Sequence, residues 1–342
     1  MKRFLLCAAA LLLLGAASAC DKNGGKDKPA PSPVDDGRVH PGTTTLLELF
    51  QEKIDEYGHQ EVPASRIYIC AHRANTWSSA DKKIPENSVA AIEEAIAQGA
   101  DMVELDPRST SDGAIVLMHD ATVNATTNGT GSVANMTLAQ IKALRMKYRG
   151  QSSTYKKDGQ EIQVPTLLEA LLACKDKIYV NLDVKSCKIN ALMKVIQEAD
   201  MADQVMIYGY SANEKQEIIE WAYNNMSTWI AVHPYIGSPN DCRSYLTMAY
   251  CNCALLFQYA GDTYYKGTTE KFGYKVHALG GLSYSNSLTW DSEIRSWYSN
   301  YYANDIEAPC KVLDQFIASG SDFVQTDCFE LAELYLKVKG LR

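Results

Sequence analysis

Hydrophobic residues recur along the chain in two kinds of pattern, and the two kinds alternate. Short runs rich in β-branched and aromatic residues, typical of strands, occupy Ile67–Ala71, Met102–Asp106, Ile115–Met118, Ile178–Asp183, Val205–Tyr208, Thr228–Val232, Leu255–Gln258, Gly281–Tyr284 and Phe323–Thr326. Segments whose apolar residues have the period of a helix lie between most of them, at Ser88–Gln98, Leu138–Leu144, Thr166–Cys174, Ile189–Ala199, Asn213–Asn224, Asp291–Ser299, Cys310–Ala318 and Phe329–Lys337. This alternation is typical of the α/β class, in which helices cover a parallel sheet.

Nine candidate strands for eight places predict a (β/α)8 TIM barrel with loop insertions. A doubly wound open sheet would give a similar alternation, but the chain lacks the glycine-rich dinucleotide fingerprint that would favour it. An amphipathic helix beginning near Leu46 precedes the first strand. We therefore expect residues 46–342 to form a single domain.

The first 45 residues differ in composition from this domain. Lys2 and Arg3 precede an apolar run that ends in small residues directly before Cys20, as in a bacterial lipobox. The pattern predicts a lipoprotein signal peptide over 1–19, lipidation of Cys20 and a polar tether over 20–45; an ordinary signal peptide is the alternative. We expect a protein of the cell envelope, periplasmic or on the cell surface, whose only membrane contact is its lipid anchor.

Composition and charge narrow the possible partners. The chain has 342 residues, 46% hydrophobic and 22% charged, which is enough to bury a large core. Its formal net charge of −8 opposes binding to a phosphate backbone, so we expect no nucleic-acid partner. Nothing in the sequence implies a protein partner.

Ionisable residues follow or end several of the candidate strands: His72 and Arg73, Glu104 and Asp106, His119 and Asp120, Asp183 and Lys185, and Asp327. In a barrel, the carboxyl ends of the strands meet on the face that carries the active site. One charged residue at a strand end is ordinarily a solvated loop residue. Such residues at successive strand ends predict a functional site.

Glu104 and Asp106 are separated by one residue on a strand and therefore project to the same side. Two carboxylates in this arrangement suit a hard divalent cation, Ca²⁺ or Mg²⁺. The alternative is an inward pair bound to Arg73 or Lys185 as salt bridges. Because a buried pair of like charges needs a cation or a proton, we favour the metal.

An ordered set of motifs resembles the glycerophosphodiester phosphodiesterase family. The set comprises Ala71-His72-Arg73, Ile84-Pro85-Glu86-Asn87-Ser88, Val103-Glu104-Leu105-Asp106, Thr110-Ser111-Asp112-Gly113, Met118-His119-Asp120, Thr126-Thr127-Asn128-Gly129-Thr130-Gly131, Val164-Pro165-Thr166-Leu167, Asn181-Leu182-Asp183-Val184-Lys185 and Gln325-Thr326-Asp327. The resemblance is strong from about Arg66 to Lys188 and sparse beyond. No single motif is specific, but the order and spacing of the set are.

The resemblance implies metal-dependent hydrolysis of a small glycerophosphodiester to an alcohol and glycerol phosphate. It nominates His72 and His119 as the acid–base pair, a role that suits imidazoles near neutral pH. It adds Asp183 as a third metal ligand. Arg73 and Lys185 would bind the phosphate oxygens.

Glu86 is expected to support this site by orienting Arg73 or His72; the alternative is an ordinary carboxylate in the first turn of a helix. Which histidine is the acid and which the base stays open.

Departures from the family pattern suggest an altered substrate pocket. Ala74 replaces the glycine that usually follows the His-Arg pair, Ala125 replaces an arginine, and Asp183 stands where Glu is expected. Two further hypotheses therefore stay open. One is a phosphodiesterase acting on a surface phosphoglycan or teichoic-type polymer, and the other is a non-catalytic binding lipoprotein on the same barrel.

Overall fold

The fold was obtained as a computed structural model that describes residues 42–208, 211–234, 245, 253–257, 272–286, 291–302 and 310–342. The predicted signal peptide, Cys20 and the tether up to residue 41 lie outside the described residues. Within the described ranges, no helix combines the length and the apolar character needed to cross a bilayer.

Eight parallel strands form the central sheet: β1 Tyr68–Ala71, β2 Met102–Leu105, β3 Tyr179–Asp183, β4 Val205–Tyr208, β5 Ala231–His233, β6 Cys253–Phe257, β7 Leu282–Asn286 and β8 Phe323–Thr326. Their order in the sheet is β6-β7-β8-β1-β2-β3-β4-β5. Each strand thus lies beside its neighbours in the chain, and the last strand lies beside the first. The first strand pairs with the last, from Tyr68 opposite Phe323 to Ala71 opposite Thr326. This circular order confirms the predicted (β/α)8 barrel.

The third candidate strand, Ile115–Met118, forms a strand over Ile115–Leu117 but is not one of the eight barrel strands, so its expected place in the barrel was wrong. Residues Ile115–Leu117 pair antiparallel with Pro107–Ser109, a short strand that begins two residues after the end of β2. Val116 packs in a small separate core with Val123 and Ile141. Ile115 and Leu117 belong to the main core, so the run is apolar because both of its faces are buried. His119 therefore follows a hairpin strand and not a barrel strand.

Helices connect the strands: α1 Leu46–Tyr57, α2 Trp77–Asp81, α3 Val89–Gln98, α4 Leu138–Ala143, α5 Leu167–Cys174, α6 Ile189–Ala199, α7 Ala212–Met226, α8 Phe272–Ala278, α9 Asp291–Tyr302, α10 Lys311–Ser319 and α11 Phe329–Val338. A second small hairpin pairs Lys156–Lys157 with Gln160–Glu161. Ser88, Thr137, Thr166 and Ser211 cap the amino-terminal ends of α3, α4, α5 and α7, and each side chain accepts a backbone N–H of the first turn. The short helices α2 and α8 were not predicted.

Helix α1 closes the amino-terminal end of the barrel. Its buried residues Leu46, Phe50 and Tyr57 belong to one apolar cluster with the inward side chains at the start of the strands, including Tyr68 and Phe323. Inward side chains alternate along each strand. The apolar ones occupy this closed end, so the polar ones are left at the carboxyl end.

Candidate active site

A cavity opens at the carboxyl ends of the barrel strands. It has a volume of about 170 Å³ and is lined by His72, Arg73, Glu104, His119, Asn181, Asp183, Lys185, Tyr208, His233, Asn286 and Gln325. Its volume is small beside the several hundred Å³ of pockets for drug-sized ligands. Six of the nine candidate site residues thus line one cavity, and Asp106 and Glu86 contact them directly. The ninth, Cys20, lies outside the described residues.

The turn after β1 presents His72 and Arg73 to the cavity on a strained backbone. Arg73 has φ 54° and Ala74 has φ 58°, values that cost a non-glycine residue about 1–2 kcal/mol each. The turn is held by the Arg73 N–H, which donates to Glu104 Oε2 at 2.8 Å, and by the Asn87 N–H, which donates to the Arg73 carbonyl at 2.9 Å. Ala74 thus keeps the conformation for which glycine is suited.

The three carboxylates converge beneath this turn. Glu104, Asp106 and Asp183 each offer an oxygen, and the three oxygens lie within 4.8 Å of one another. Glu104 and Asp106 are 1% and 0% exposed. The shorter side chain of Asp183, a departure from the family pattern, therefore still reaches the other two.

Cations already neutralise part of the triad. Lys185 Nζ lies 2.6 Å from Asp183 Oδ2 and 3.2 Å from Asp106 Oδ1, and Arg73 Nε lies 3.8 Å from Asp106 Oδ2. The salt-bridge alternative considered from the sequence for Glu104 and Asp106 is thus present for Asp106, and Lys185 binds Asp183 as well. Glu104 Oε1 and Asp106 Oδ1 are both buried without a hydrogen-bond partner among the described residues, but Asp106 Oδ1 has Lys185 beside it and Glu104 Oε1 has no such cation.

The pKa values of the three carboxyl groups also show that their negative charges are unequally compensated. Burial, with the charges of Asp106 and Asp183, holds the pKa of Glu104 well above its usual range. Burial also raises the pKa of Asp183, against the lowering effect of Lys185. For Asp106 burial opposes ionisation, but Lys185 and the two histidines outweigh it and the pKa is lowered. The triad is short of positive charge at Glu104, so a hard divalent cation fits this donor set.

Both candidate catalytic histidines are held by a carboxylate through Nδ1. His72 Nδ1 lies 2.9 Å from Asp327 Oδ1, and His119 Nδ1 lies 2.9 Å from Asp120 Oδ1. Arg73 Nε donates to His72 Nε2 at 3.1 Å. A carboxylate at Nδ1 fixes the orientation of the ring, as catalytic imidazoles require.

Arg149 connects the carboxylate that binds Arg73 with the carboxylate that binds His119. It donates to Glu86 Oε1 at 2.7 Å and to Asp120 Oδ2 at 2.9 Å, while Glu86 also accepts from Arg73 Nη1 at 2.9 Å. The hydrogen bond from Arg149 is the main reason that the pKa of Asp120 falls to about 2. Glu86 lies between two arginines and contacts Arg73, one of the two residues that it was expected to orient.

Sequence reasoning missed two members of this network. Arg149 lies in a loop, 29 residues beyond Asp120 and outside every recognised motif. The role of Asp327 beside His72 was also not foreseen, although its motif was noted. Asn87 lay in a recognised motif, and its side chain donates to Asp106 Oδ2 at 2.6 Å.

The fold and the cavity place the protein among barrel proteins with a carboxylate and histidine site at the strand ends. Residues 72–233 match the sequence model of the glycerophosphoryl diester phosphodiesterase family. The matched segment contains most of the motifs named above and spans a little under half of the chain.

Relatives of known name share this part of the chain. The glycerophosphodiester phosphodiesterase of Caldanaerobacter subterraneus subsp. tengcongensis is 35% identical over 164 residues, 46% of this chain and 63% of that one. Glycerophosphodiester phosphodiesterase 1 of Bos taurus is 37% identical over 160 residues, 45% of this chain and 46% of that one. The similarity thus covers about half to two thirds of the relatives' length.

Solved structures extend the likeness in fold over most of the chain. A glycerophosphoryl diester phosphodiesterase from Parabacteroides distasonis aligns with a TM-score of 0.61 at 20% identity, covering 83% of this chain and 92% of that one. An Oleispira antarctica phosphodiesterase, solved in complex with its product sn-glycerol-3-phosphate, aligns with a TM-score of 0.55 at 23% identity, covering 80% and 97%. At these identities the likeness shows the fold.

Proposed function

We propose that this protein hydrolyses small glycerophosphodiesters to an alcohol and glycerol phosphate in a reaction that depends on a divalent cation. The observation that carries the proposal is the convergence of both imidazoles, Arg73 and Lys185 on one cavity beside the carboxylate triad. The matched family model and the names of the relatives support it. The Oleispira complex supports a phosphoglycerol ligand.

The chain's own residues would divide the work of the reaction. One imidazole of the pair His72 and His119 takes the proton of the nucleophile, and the other supplies a proton to the leaving alkoxide. Arg73 and Lys185 bind the phosphate oxygens and stabilise the charge that develops on them. Asp327 and Asp120 hold the rings in place.

Glu104, Asp106 and Asp183 would hold the cation, Ca²⁺ or Mg²⁺. When bound, the cation supplies Lewis-acid polarisation of a phosphate oxygen. The buried and unpartnered Oε1 of Glu104 is the feature that most requires it.

The test compares the wild type with His119→Ala on glycerophosphocholine. We expect kcat/KM to fall by about 10²–10⁴, the range for loss of a general acid or base. We also expect EDTA to abolish wild-type turnover and Mg²⁺ or Ca²⁺ to restore it. His59→Ala, at an exposed histidine, is the matched control.

Two results would contradict the proposal. If His119→Ala turned over substrate as fast as the wild type, the assigned mechanism would be wrong. If the wild type bound the metal but hydrolysed no diester, the protein would be a binding protein on the same barrel.

We further propose that a lipid on Cys20 anchors the protein in the cell envelope, on the support of the lipobox pattern. Labelled palmitate should be incorporated into the wild type and not into Cys20→Ala. The variant should also leave the membrane fraction. An equal membrane fraction for both proteins would contradict the anchor.

A further inference from the structure

One half of the cavity carries no charged side chain among its described lining residues. The charged residues lie on β2 and β3, in the segments that follow β1 and β3, and after the inserted hairpin. The opposite half is lined by Tyr208 of β4, His233 of β5, Asn286 of β7 and Gln325 of β8. A phosphodiester bound by the charged half would extend its uncharged part toward these neutral polar groups.

His233 is the unusual member of the neutral half. Its ring is 1% exposed and lines the cavity at the end of β5. Nδ1 lies 3.3 Å from Asn181 Oδ1, whereas Nε2 is buried without a hydrogen-bond partner among the described residues. A buried polar atom without a partner is costly, and groups of this kind are ordinarily satisfied by water or a ligand.

The chemistry of the ring defines what Nε2 can bind. Burial, together with the charge of Lys215, holds the pKa of His233 well below its usual value, so the imidazole is neutral. A neutral imidazole has one donor and one acceptor nitrogen. With Nδ1–H donating to Asn181 Oδ1, Nε2 carries the lone pair and requires a donor from the ligand.

The packing around His233 keeps the ring in place. The Tyr284 ring lies 4.4 Å and the Tyr208 ring 5.1 Å from its centroid. Tyr284 OH in turn donates to Gln325 Oε1 at 2.9 Å. The acceptor is therefore held between two aromatic rings. Of these, Tyr208 also lines the cavity, and an aromatic ring suits the carbon chain of a polyol.

We infer that His233 Nε2 accepts a hydrogen bond from a hydroxyl group of the substrate, so that the neutral half of the cavity is a polyol subsite. This inference rests on the proposed function for the position of the phosphate. It makes His233 a specificity-determining residue, which selects phosphate esters whose uncharged arm carries hydroxyls over esters of simple alkyl alcohols.

Ligand binding tests the inference without requiring turnover. Isothermal titration calorimetry with Mg²⁺ present compares the dissociation constants of sn-glycerol 3-phosphate and of propyl phosphate, which lacks both hydroxyls. We expect the wild type to prefer glycerol phosphate by about tenfold, the range of one net hydrogen bond. His233→Phe keeps a flat ring without the acceptor and should bind the two ligands within about twofold.

Two further variants serve as matched controls. His233→Gln retains an acceptor and should keep part of the preference, while His59→Phe makes the same substitution at an exposed site and should keep all of it. An unchanged preference in His233→Phe, or an equal loss for both ligands, would overturn the inference. Tighter binding of phosphoethanolamine that depends on His233 would also overturn it, because the donor would then be an ammonium.

A measurement on the wild type covers the case in which His233→Phe does not fold. The ¹⁵N resonance of His233 Nε2 should shift when glycerol phosphate binds and should not shift when propyl phosphate binds. Equal shifts would contradict the inference. Absence of turnover on any diester would contradict the proposed function instead, and the binding preference would still decide the role of His233.

Discussion

Each end of the barrel holds a buried cluster of charged side chains, and only one of the two clusters is fully paired. At the amino-terminal end, Asp322 Oδ1 accepts from Tyr57 OH at 2.6 Å, and Oδ2 accepts from the Ser283 N–H at 2.7 Å and from His277 Nε2 at 2.9 Å. His277 Nδ1 donates to the Val62 carbonyl at 2.7 Å. Both carboxylate oxygens of Asp322 and both ring nitrogens of His277 therefore have hydrogen-bond partners. We call Asp322, His277 and their partners the lower network.

At the carboxyl end the polar groups are incomplete. Glu104 Oε1 and His233 Nε2 are buried without partners among the described residues, and Arg73 keeps a strained backbone. Buried polar groups cost stability unless they are paired. We call Glu104, His233 and Arg73, with the carboxylates beside them, the upper cluster. The difference indicates that the lower network stabilises the fold, whereas the upper cluster destabilises it and leaves polar groups free to bind a ligand.

The largest expected effect is in the lower network. Asp322→Asn replaces one acceptor oxygen with a donor that faces the donors of Tyr57 or His277. Losing one member of a buried ion pair typically costs about 3–5 kcal/mol of unfolding free energy. Denaturant unfolding measures this loss, while kcat per folded molecule should not change. A loss below about 1 kcal/mol would show that the two ends do not differ in this way.

Glu104→Gln should have the opposite sign in the metal-free protein. The substitution removes a charge that burial and two neighbouring carboxylates oppose. We expect the unfolding free energy to rise on the order of 1 kcal/mol, because neutralising a poorly compensated buried charge is often stabilising. Metal binding, measured by titration, should weaken sharply.

Glu61→Gln provides the matched control for Glu104→Gln, since Glu61 is an exposed glutamate away from the site. It should change neither stability nor metal binding. Destabilisation of the metal-free protein by Glu104→Gln would mean that the upper cluster is as well satisfied as the lower one.

Arg149 offers a smaller test of the upper end. Arg149→Gln should lower kcat/KM by roughly tenfold, as removal of an orienting partner often does. Most of the loss should fall on kcat, because His119 loses its alignment through Asp120 and the substrate is not contacted. The unfolding free energy should change by less than about 1 kcal/mol, since the side chain is 40% exposed.

Arg149→Lys should recover part of the activity, which a purely structural role would not predict. Arg145→Gln is the matched control, because Arg145 is a surface arginine whose partner Glu161 lies outside the cavity. Equal losses in kcat/KM for the two Gln variants would remove Arg149 from the site.

How far the sequence predicts this molecule depends on the range of the interactions. The convergence of His72, Glu104 and Asp106 was predictable, because strand period and strand order place these side chains. The run Ile115–Met118 was misassigned, since a buried apolar run looks the same in a barrel and in an inserted hairpin. Contacts such as His72 with Asp327, 255 residues apart, depend on the closed fold, and so do the unpartnered atoms of Glu104 and His233.

The smallest expected effect is a pH dependence of the lower network. Burial opposes protonation of His277, but the hydrogen bond and charge of Asp322 outweigh it and raise the pKa above its usual value of about 6.5. A raised folded-state pKa contributes stability that is complete below about pH 6.5 and is lost as the pH rises through the folded pKa. The melting temperature should therefore fall as the pH rises above about 6.5. His277→Gln should flatten this decline and His59→Gln should leave it unchanged, because the imidazoles at the upper end are common to both variants. If the wild type and His277→Gln showed the same slope, the lower network would not depend on a charged His277.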